Sequence, residues 1–283
     1  MTQWHPIFDH LLRSALKDYY EVQTNVAVGD LPREADIVLV RRASTRKPPF
    51  QSLWRHLTRW NVLEFKSRSE SARVKDVDLL VEVGLGIHRR LQEQEPNARV
   101  LRGDVSFWYL ANHLGKRFLR DVIELTGDLE SVSPGLWRGR IMGRPLWLVS
   151  NRDVPIDAES TPVRLVSEQS IEQTRELAKV LLADDELLKM YGDWVTALYP
   201  EFRKEFHAMV TKRNKGEIDL GANLRQWLHE MGPQRILEVG FPKQLFDDLG
   251  PAGYVAGLSV AQREELLRIL QADSSGKKNS TAS

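Results

Sequence analysis

The sequence predicts an α/β domain followed by an all-α C-terminal region, and three observations support this fold class. Apolar residues recur at helical spacing between residues 4 and 20. Short runs rich in β-branched residues, separated by turn residues, follow between residues 22 and 66. From Ser167 onward the apolar pattern is helical throughout. Helix and strand signals in this order are typical of an α/β core.

The first half of the chain holds the predicted elements of that core. A turn at Gly29, Asp30 and Pro32 joins the first two strands into a hairpin. Gly84 and Gly86 interrupt the long helix, which indicates that this helix packs closely on the sheet. In chain order the predicted elements are helix 4–20, strands 22–28, 37–40 and 61–66, helix 71–94, strand 105–110, helix 116–125 and strands 137–141 and 146–149.

The second half is predicted to be helical, with long helices at residues 168–183 and 185–210. A polar stretch over residues 153–164 contains Pro155 and Pro162, so we place the boundary between the domains there. The predicted organisation is an α/β domain at residues 1–155, a helical region at 165–272 and a disordered tail rich in Ser, Lys and Asn at 273–283.

A nine-residue repeat occurs near the C-terminus, where Pro233, Pro242 and Pro251 are evenly spaced. Proline is common at the first position of a helix, and glycine is common just after its end. Two interpretations remain open for these short helices. They form a stack that closes off the domain, or they present a surface for a protein partner or a second copy of the chain.

Composition restricts the classes of function. Hydrophobic residues make up 42% and charged residues 28% of the 283 residues, as in ordinary globular proteins. No apolar run reaches the length of a bilayer span, and the N-terminus lacks a signal-peptide pattern, so a cytoplasmic location is expected. The absence of cysteine excludes disulfides, thiolate metal sites and cysteine nucleophiles. The formal charge of +1 neither favours nor excludes nucleic acid.

Three charged residues in two neighbouring predicted strands indicate a chemistry. Glu64 and Lys66 are two residues apart in one strand, so they project to the same side, and Asp36 lies in the strand before it. Two carboxylates on adjacent strands can hold one divalent cation such as Mg²⁺. A cation that polarises a phosphoryl oxygen and activates water, beside a positive side chain, is what phosphodiester hydrolysis requires.

Each of these residues also has a structural interpretation. Glu64 and Lys66 are compatible with an edge strand whose exposed face carries a local ion pair. Asp36 is compatible with a residue that caps the turn after Pro32. The sequence alone leaves both alternatives open.

The segments that contain these residues resemble the active-site strands of the PD-(D/E)XK nuclease superfamily. They are residues 31–39, LPREADIVL, and residues 63–67, LEFKS. Within the superfamily the likeness is to Rpn-type recombination-promoting nucleases and transposase-like proteins. The family's first helix, three strands, crossover helix and further strand are similar to the order predicted for residues 4–110. The resemblance covers about the first 150 residues and implies a restriction-endonuclease-like core, a central mixed sheet flanked by helices.

The resemblance also implies a function. Asp36 and Glu64 would bind Mg²⁺ or Mn²⁺ and Lys66 would activate water, in a metal-dependent endodeoxyribonuclease associated with a mobile element or recombination. Many family members add an acidic residue from the first helix, for which Asp9 or Glu21 is the candidate here.

The chain departs from the family in the helix after the triad strand. Members often carry a glutamine or an aromatic residue there, whereas this chain offers Lys75, Asp78 and Gly86. Glu34 and Glu70 are expected to point to solvent and to be dispensable for activity.

The segment from Arg41 to Trp60 joins the strand of Asp36 to the strand of Glu64 and is basic, without any acidic residue. Basic and aromatic residues together suit phosphates and stacked bases, so the segment is expected to border the active site. The alternative is a solvated loop with Trp54 and Trp60 in the core. The candidate DNA-binding residues are Arg46, Lys47, Arg55 and Arg59.

Three functions are therefore compared. The first is a Mg²⁺-dependent DNA endonuclease, and the second is an inactive nuclease-fold protein that binds nucleic acid or serves as an interaction scaffold. The third is a helical-repeat adaptor whose α/β part is only structural. The expected partners are DNA and, through the C-terminal helices, a second copy or another protein, but not a membrane.

Overall fold

A computed structural model describes residues 4–27, 34–42, 48–94 and 100–213, and the single residues 226, 227, 230, 260, 264 and 268. The chain divides into two compact units, residues 5–180 on the one hand and residues 1–4 with 181–283 on the other. The proline repeat at 233–251 and the predicted tail at 273–283 lie outside the described residues. Among the helices of the described part, none has the length and apolar character needed to cross a membrane.

The unit of residues 5–180 is built on one mixed sheet of seven strands. The strands are β1 Tyr20–Ala27, β2 Glu34–Arg41, β3 Trp60–Phe65, β4 Val105–Ala111, β5 Glu130–Ser133, β6 Leu136–Ile141 and β7 Arg144–Ser150. Their spatial order is β1-β2-β3-β4-β7-β6-β5. The two central pairs, β3 with β4 and β4 with β7, are parallel, and the other pairs are antiparallel. The predicted α/β class with a central mixed sheet is confirmed.

Seven α-helices are present in the described part of the chain. They are α1 Trp4–Leu16, α2 Val74–Gln94, α3 Lys116–Thr126, α4 Thr161–Leu165, α5 Ile171–Ala183, α6 Asp185–Leu198 and α7 Arg203–Arg213.

Three elements differ from the sequence prediction. Strand β5 was not predicted, because its residues ESVS are polar and carry no apolar alternation. The helix predicted at 185–210 is divided into α6 and α7, because Pro200 lacks the amide hydrogen that a helix interior needs. The polar stretch at 153–164 leads into α4, all of whose residues are buried.

Helices cover both faces of the sheet. On one face, α2 and α3 share a core with alternate residues of the central strands, among them Val62 and Phe107. On the other face, the ring of Phe8 in α1 stacks on Phe65 with 4.3 Å between ring centroids. Both β3 and β4 are buried along their whole length, as expected of strands covered on two sides.

Gly84 allows α2 to approach the sheet, as its place in the sequence indicated. A Cβ atom at this position would lie 2.3 Å from Cε1 of Phe107 in β4. No larger residue fits there unless helix and strand separate.

Candidate active site

The last residues of β3 bring a glutamate and a lysine into direct contact. Nζ of Lys66 lies 2.5 Å from Oε1 of Glu64, and their side chains are only 12% and 11% exposed. The backbone amide of Lys66 donates to the carbonyl of Leu110 at 2.8 Å, so β3 stays attached to β4 up to this residue. The ion pair is therefore held at the carboxyl end of a buried strand and not on an edge strand.

A second carboxylate beside Lys66 comes from α2. Oδ2 of Asp76, in the first turn of the helix, lies 3.9 Å from Nζ of Lys66 and 3.3 Å from Nε of Arg73. Its side chain is only 8% exposed. Asp76 was not identified from the sequence, although a carboxylate in the first turn of a predicted helix, followed by apolar Val77, was a usable signal.

Asp36 lies beside Glu64 at a point where regular strand pairing stops. The ladder between β2 and β3 ends with Ile37 opposite Leu63, so a continued register would pair Asp36 with Glu64. On the β1 side, Asn25 has a φ of 50° and interrupts the pairing at the same level. Oδ2 of Asp36 accepts the amide of Phe65 at 3.0 Å and so replaces the missing backbone acceptor.

His5 of α1 holds this arrangement from the other side. Its Nε2 lies 3.0 Å from the carbonyl oxygen of Phe65 and 3.5 Å from Oδ2 of Asp36. An Nε2 with two oxygen neighbours must carry a proton to form a hydrogen bond with either. Burial alone would lower the pKa of His5, but the hydrogen bond and charge of Asp36 outweigh it and raise that pKa. His5 was not identified from the sequence.

Burial and neighbouring charges shift the pKa values of Glu64 and Lys66. Burial and then the negative charge of Asp36 raise the pKa of Glu64 to about 7, against the opposing effect of Lys66. Burial alone would lower the pKa of Lys66, but Glu64, Asp76 and Asp36 together raise it. Lys66 therefore stays an ammonium at neutral pH. Two further positive or protonatable groups face the carboxylates, namely Arg73 beside Asp76 and His5 beside Asp36.

The negative charges of these carboxylates suit a hard divalent cation. Mg²⁺ commonly binds through one or two carboxylates and keeps several waters. Within the described residues, no group of three or more His, Asp or Glu side chains is arranged to hold a metal ion. The assignment of Asp36 and Glu64 as metal ligands stays a prediction.

The two candidates for a further acidic ligand interact elsewhere. Oδ1 of Asp9 forms an ion pair with Nε of Arg13, one turn along α1, at 3.0 Å. Glu21 is exposed on β1, and its Oε1 accepts a hydrogen bond from Gln23 at 2.9 Å. A ligand role for either residue stays a prediction.

Of Glu34 and Glu70, which were both expected to point to solvent, only the first does so, and the expectation that both are dispensable for activity stays a prediction. Glu34 is exposed at the start of β2. The prediction that Glu70 points to solvent is wrong, because its Oε2 accepts the amide of Ser67 at 2.9 Å and the Ser67 hydroxyl at 2.7 Å. These bonds outweigh burial and lower the pKa of Glu70, so its carboxylate orders the chain just after Lys66.

The basic segment does not border this centre in its described part. Arg59 precedes the first residue of β3, and Glu64 is roughly 16 Å further along that strand at about 3.3 Å per residue. For the described residues of the segment the prediction is wrong, because Asp36 lies near the start of β2 and Glu64 near the end of β3, whereas the segment connects the end of β2 to the start of β3.

The tryptophans of the segment are core residues. Trp54 and Trp60 are buried, and the Trp54 indole lies against Trp108 with 5.9 Å between ring centroids. Arg55 donates to the ring of His56 at 3.1 Å, and the Arg59 guanidinium lies 3.8 Å from the centroid of the Trp60 ring. The alternative of a solvated loop with buried tryptophans therefore describes residues 48–60, whereas Arg46 and Lys47 lie outside the described residues.

Glu159 fastens the segment to the sheet unit. Its carboxylate accepts the backbone amides of Gln51, Ser52 and Trp54, the last two at 3.1 Å. Its carbonyl oxygen accepts the Trp54 indole N–H at 2.7 Å.

Comparison with known protein families, curated proteins and solved structures finds no match to this chain. The functional interpretation therefore depends on the residues of the candidate centre.

Proposed function

We propose that the chain is a metal-dependent endonuclease with a restriction-endonuclease-like core, which hydrolyses phosphodiester bonds of DNA at Asp36, Glu64 and Lys66. The observation that supports this most is the position of Glu64 beside Lys66 and Asp36, where burial and then the negative charge of Asp36 raise the pKa of Glu64 to about 7. A divalent cation bound beside these carboxylates would favour their charged forms and so lower that pKa. An association with mobile elements or recombination rests on the sequence resemblance alone.

The residues have distinct roles in this proposal. Bound Mg²⁺ or Mn²⁺, held by Asp36 and Glu64, would polarise the phosphoryl oxygen and activate water. Lys66 is kept charged by its carboxylate neighbours, so its ammonium orients water or a phosphate oxygen and does not remove a proton. The amide of Phe65 and the ring of His5 fix the Asp36 carboxylate. Asp76 positions Lys66 from the side of α2.

The test is cleavage of supercoiled plasmid with Mg²⁺ or Mn²⁺ and with EDTA, compared between wild type, Lys66→Ala and Lys75→Ala. Lys75 lies next to Asp76 but is exposed, so it provides a matched loss of charge. We expect metal-dependent cleavage by wild type and Lys75→Ala. The cleavage rate of Lys66→Ala should be lower by about a hundredfold or more, as is typical when a positioned catalytic group is removed. Cleavage that survives in Lys66→Ala contradicts the proposal.

A second function is favoured by one specific observation. The direct contact of Lys66 with Glu64 satisfies both charges, which suits an ion pair that stabilises an inactive nuclease-fold protein used for binding or as a scaffold. In that case wild type cleaves with neither metal ion. Lys66→Ala would then only lower the free energy of unfolding, because it leaves buried carboxylates without their cation.

A further inference from the structure

An open groove lies at the carboxyl ends of β3 and β4, next to the candidate centre. It has a volume of about 570 Å³, and its walls come from residues that follow these strands and from the starts of α2 and α3. The ionisable side chains in its lining are Arg68, Glu70, Arg73, His113, Arg117 and Asp121. In open parallel sheets, ligands bind at this end of the strands.

The groove presents positive charge to solvent. The side chains of Arg73 and Arg117 are 54% and 89% exposed. Of the two carboxylates in the lining, Glu70 is engaged by the amide and hydroxyl of Ser67, and Asp121 lies 3.9 Å from Nε of Arg117. Because Arg117 is far more exposed than Asp121, at 89% against 37%, and Arg73 than Asp76, at 54% against 8%, a ligand in the groove would meet these guanidinium groups before their carboxylate partners.

The start of α3 adds further positive charge to the groove, although cations at this end do not stabilise a helix. Its first two residues are Lys116 and Arg117, no acidic residue lies in its first turn, and Gly115 provides no side-chain cap. Cations at the N-terminus of a helix oppose the helix dipole. An anion bound in the groove would relieve that repulsion as well as bind the arginines.

Arg73 links the groove to the candidate centre. Its Nε lies 3.3 Å from Asp76, whose Oδ2 is in turn 3.9 Å from Nζ of Lys66. A phosphodiester that lies along the groove would thus reach Lys66 past Arg73.

Resting on the function proposed above, we infer that this groove binds the phosphate backbone of the DNA through Arg68, Arg73 and Arg117. The basic segment before β3 is not the main binding surface. The contacts are to phosphates and not to base edges, so they contribute affinity without sequence preference.

The experiment measures binding of a fluorescein-labelled DNA duplex of about 20 base pairs by the full chain in EDTA, where cleavage does not interfere. Arg73→Ala/Arg117→Ala is compared with Arg55→Ala/Arg59→Ala, which removes the same charge elsewhere. Arg117→Ala alone is included because it leaves the contact of Arg73 with Asp76 intact. We expect the groove double variant to bind about tenfold more weakly or worse and to lose about 1.8 from the slope of log K against log salt, about 0.9 for each phosphate contact. Arg117→Ala should show about half of the change in slope, and Arg55→Ala/Arg59→Ala should bind like wild type.

The results distinguish this inference from the proposed function. The inference is overturned, even if wild type cleaves plasmid, when the groove variants keep the affinity and salt slope of wild type. It is also overturned when only Arg55→Ala/Arg59→Ala loses affinity for the duplex. Absence of duplex binding by wild type also overturns it. If wild type binds through the groove but cleaves with neither metal ion, the groove is upheld as a DNA site and the nuclease activity is rejected.

Discussion

Replacing Glu64 by glutamine should change how the stability of the protein depends on pH. The folded chain raises the pKa of this carboxyl from its ordinary value of 4.5 to about 7. Between these values the folded state binds a proton more strongly than the unfolded state, so the free energy of unfolding falls as pH rises. The stabilisation is complete below the ordinary value and is lost as pH passes through about 7. The amide in the Glu64→Gln variant has no proton to release, so that variant lacks this dependence.

The size of the effect follows from the two pKa values. Linkage gives a change of about 2–3 kcal/mol between about pH 5 and about pH 8 in the difference between wild type and Glu64→Gln. Little is lost to solvent screening, because the side chain is only 11% exposed. Lys66 stays charged over this range, since its own pKa is raised, and does not add a titration.

The assay is urea unfolding followed by tryptophan fluorescence at both pH values. Glu70→Gln serves as a control that should stay nearly constant between the two pH values, because the pKa of Glu70 is lowered and its stabilisation is lost only below the ordinary value. The reasoning is refuted if the difference between wild type and Glu64→Gln varies by less than about 0.5 kcal/mol between the two pH values. Added Mg²⁺ should stabilise wild type at the higher pH and leave Glu64→Gln nearly unaffected, because a cation bound only by the folded state stabilises it.

Three further predictions concern the surroundings of the centre. His5→Ala should lower the free energy of unfolding, measured in urea, by about 1 kcal/mol at pH values below the ordinary histidine pKa of 6.5. The loss should become smaller as pH rises through the raised pKa that His5 has in the folded state. An equal loss at all pH values would contradict the charged contact with Asp36. Glu159→Gln should cost about 1–3 kcal/mol, because glutamine keeps only one of the two oxygens that accept the amides of Gln51, Ser52 and Trp54, whereas Glu130→Gln at an exposed position of β5 is the neutral control. Gly84→Ala should lower the free energy of unfolding by about 1–3 kcal/mol through overpacking against Phe107. Gly103→Ala is its control, because a Cβ atom there meets nothing within 4 Å. An unchanged melting temperature for Gly84→Ala would argue against close packing of α2.

Features that depend only on the alternation of residues along one strand could be predicted from the sequence. Glu64 and Lys66 could be placed on the same side because strand residues alternate in direction, and the structure has them in contact. Asp76 could not be assigned in this way, because its approach to Lys66 depends on how α2 crosses the sheet. His5 likewise reaches Asp36 only through the packing of α1 on Phe65.

The basic segment was misplaced for a reason that the sequence already contained. Asp36 is close to the start of its predicted strand and Glu64 is close to the end of the next one. In an antiparallel pair those two positions are adjacent, and the connection lies at the opposite end of the pair. The order of residues within each strand, and not only the order of strands, decides which loop borders a site.

The attachment of the segment before β3 to Glu159 also constrains the order of events during synthesis. The amides of residues 51–54 are separated by more than 100 positions from the carboxylate that accepts them. Contacts of such long range close late, after the local hairpins have formed. Until residue 159 has left the ribosome, Trp54 lacks the partner of its indole N–H, and the segment stays accessible to proteases and chaperones. Ordering of this segment therefore reports completion of the whole sheet unit.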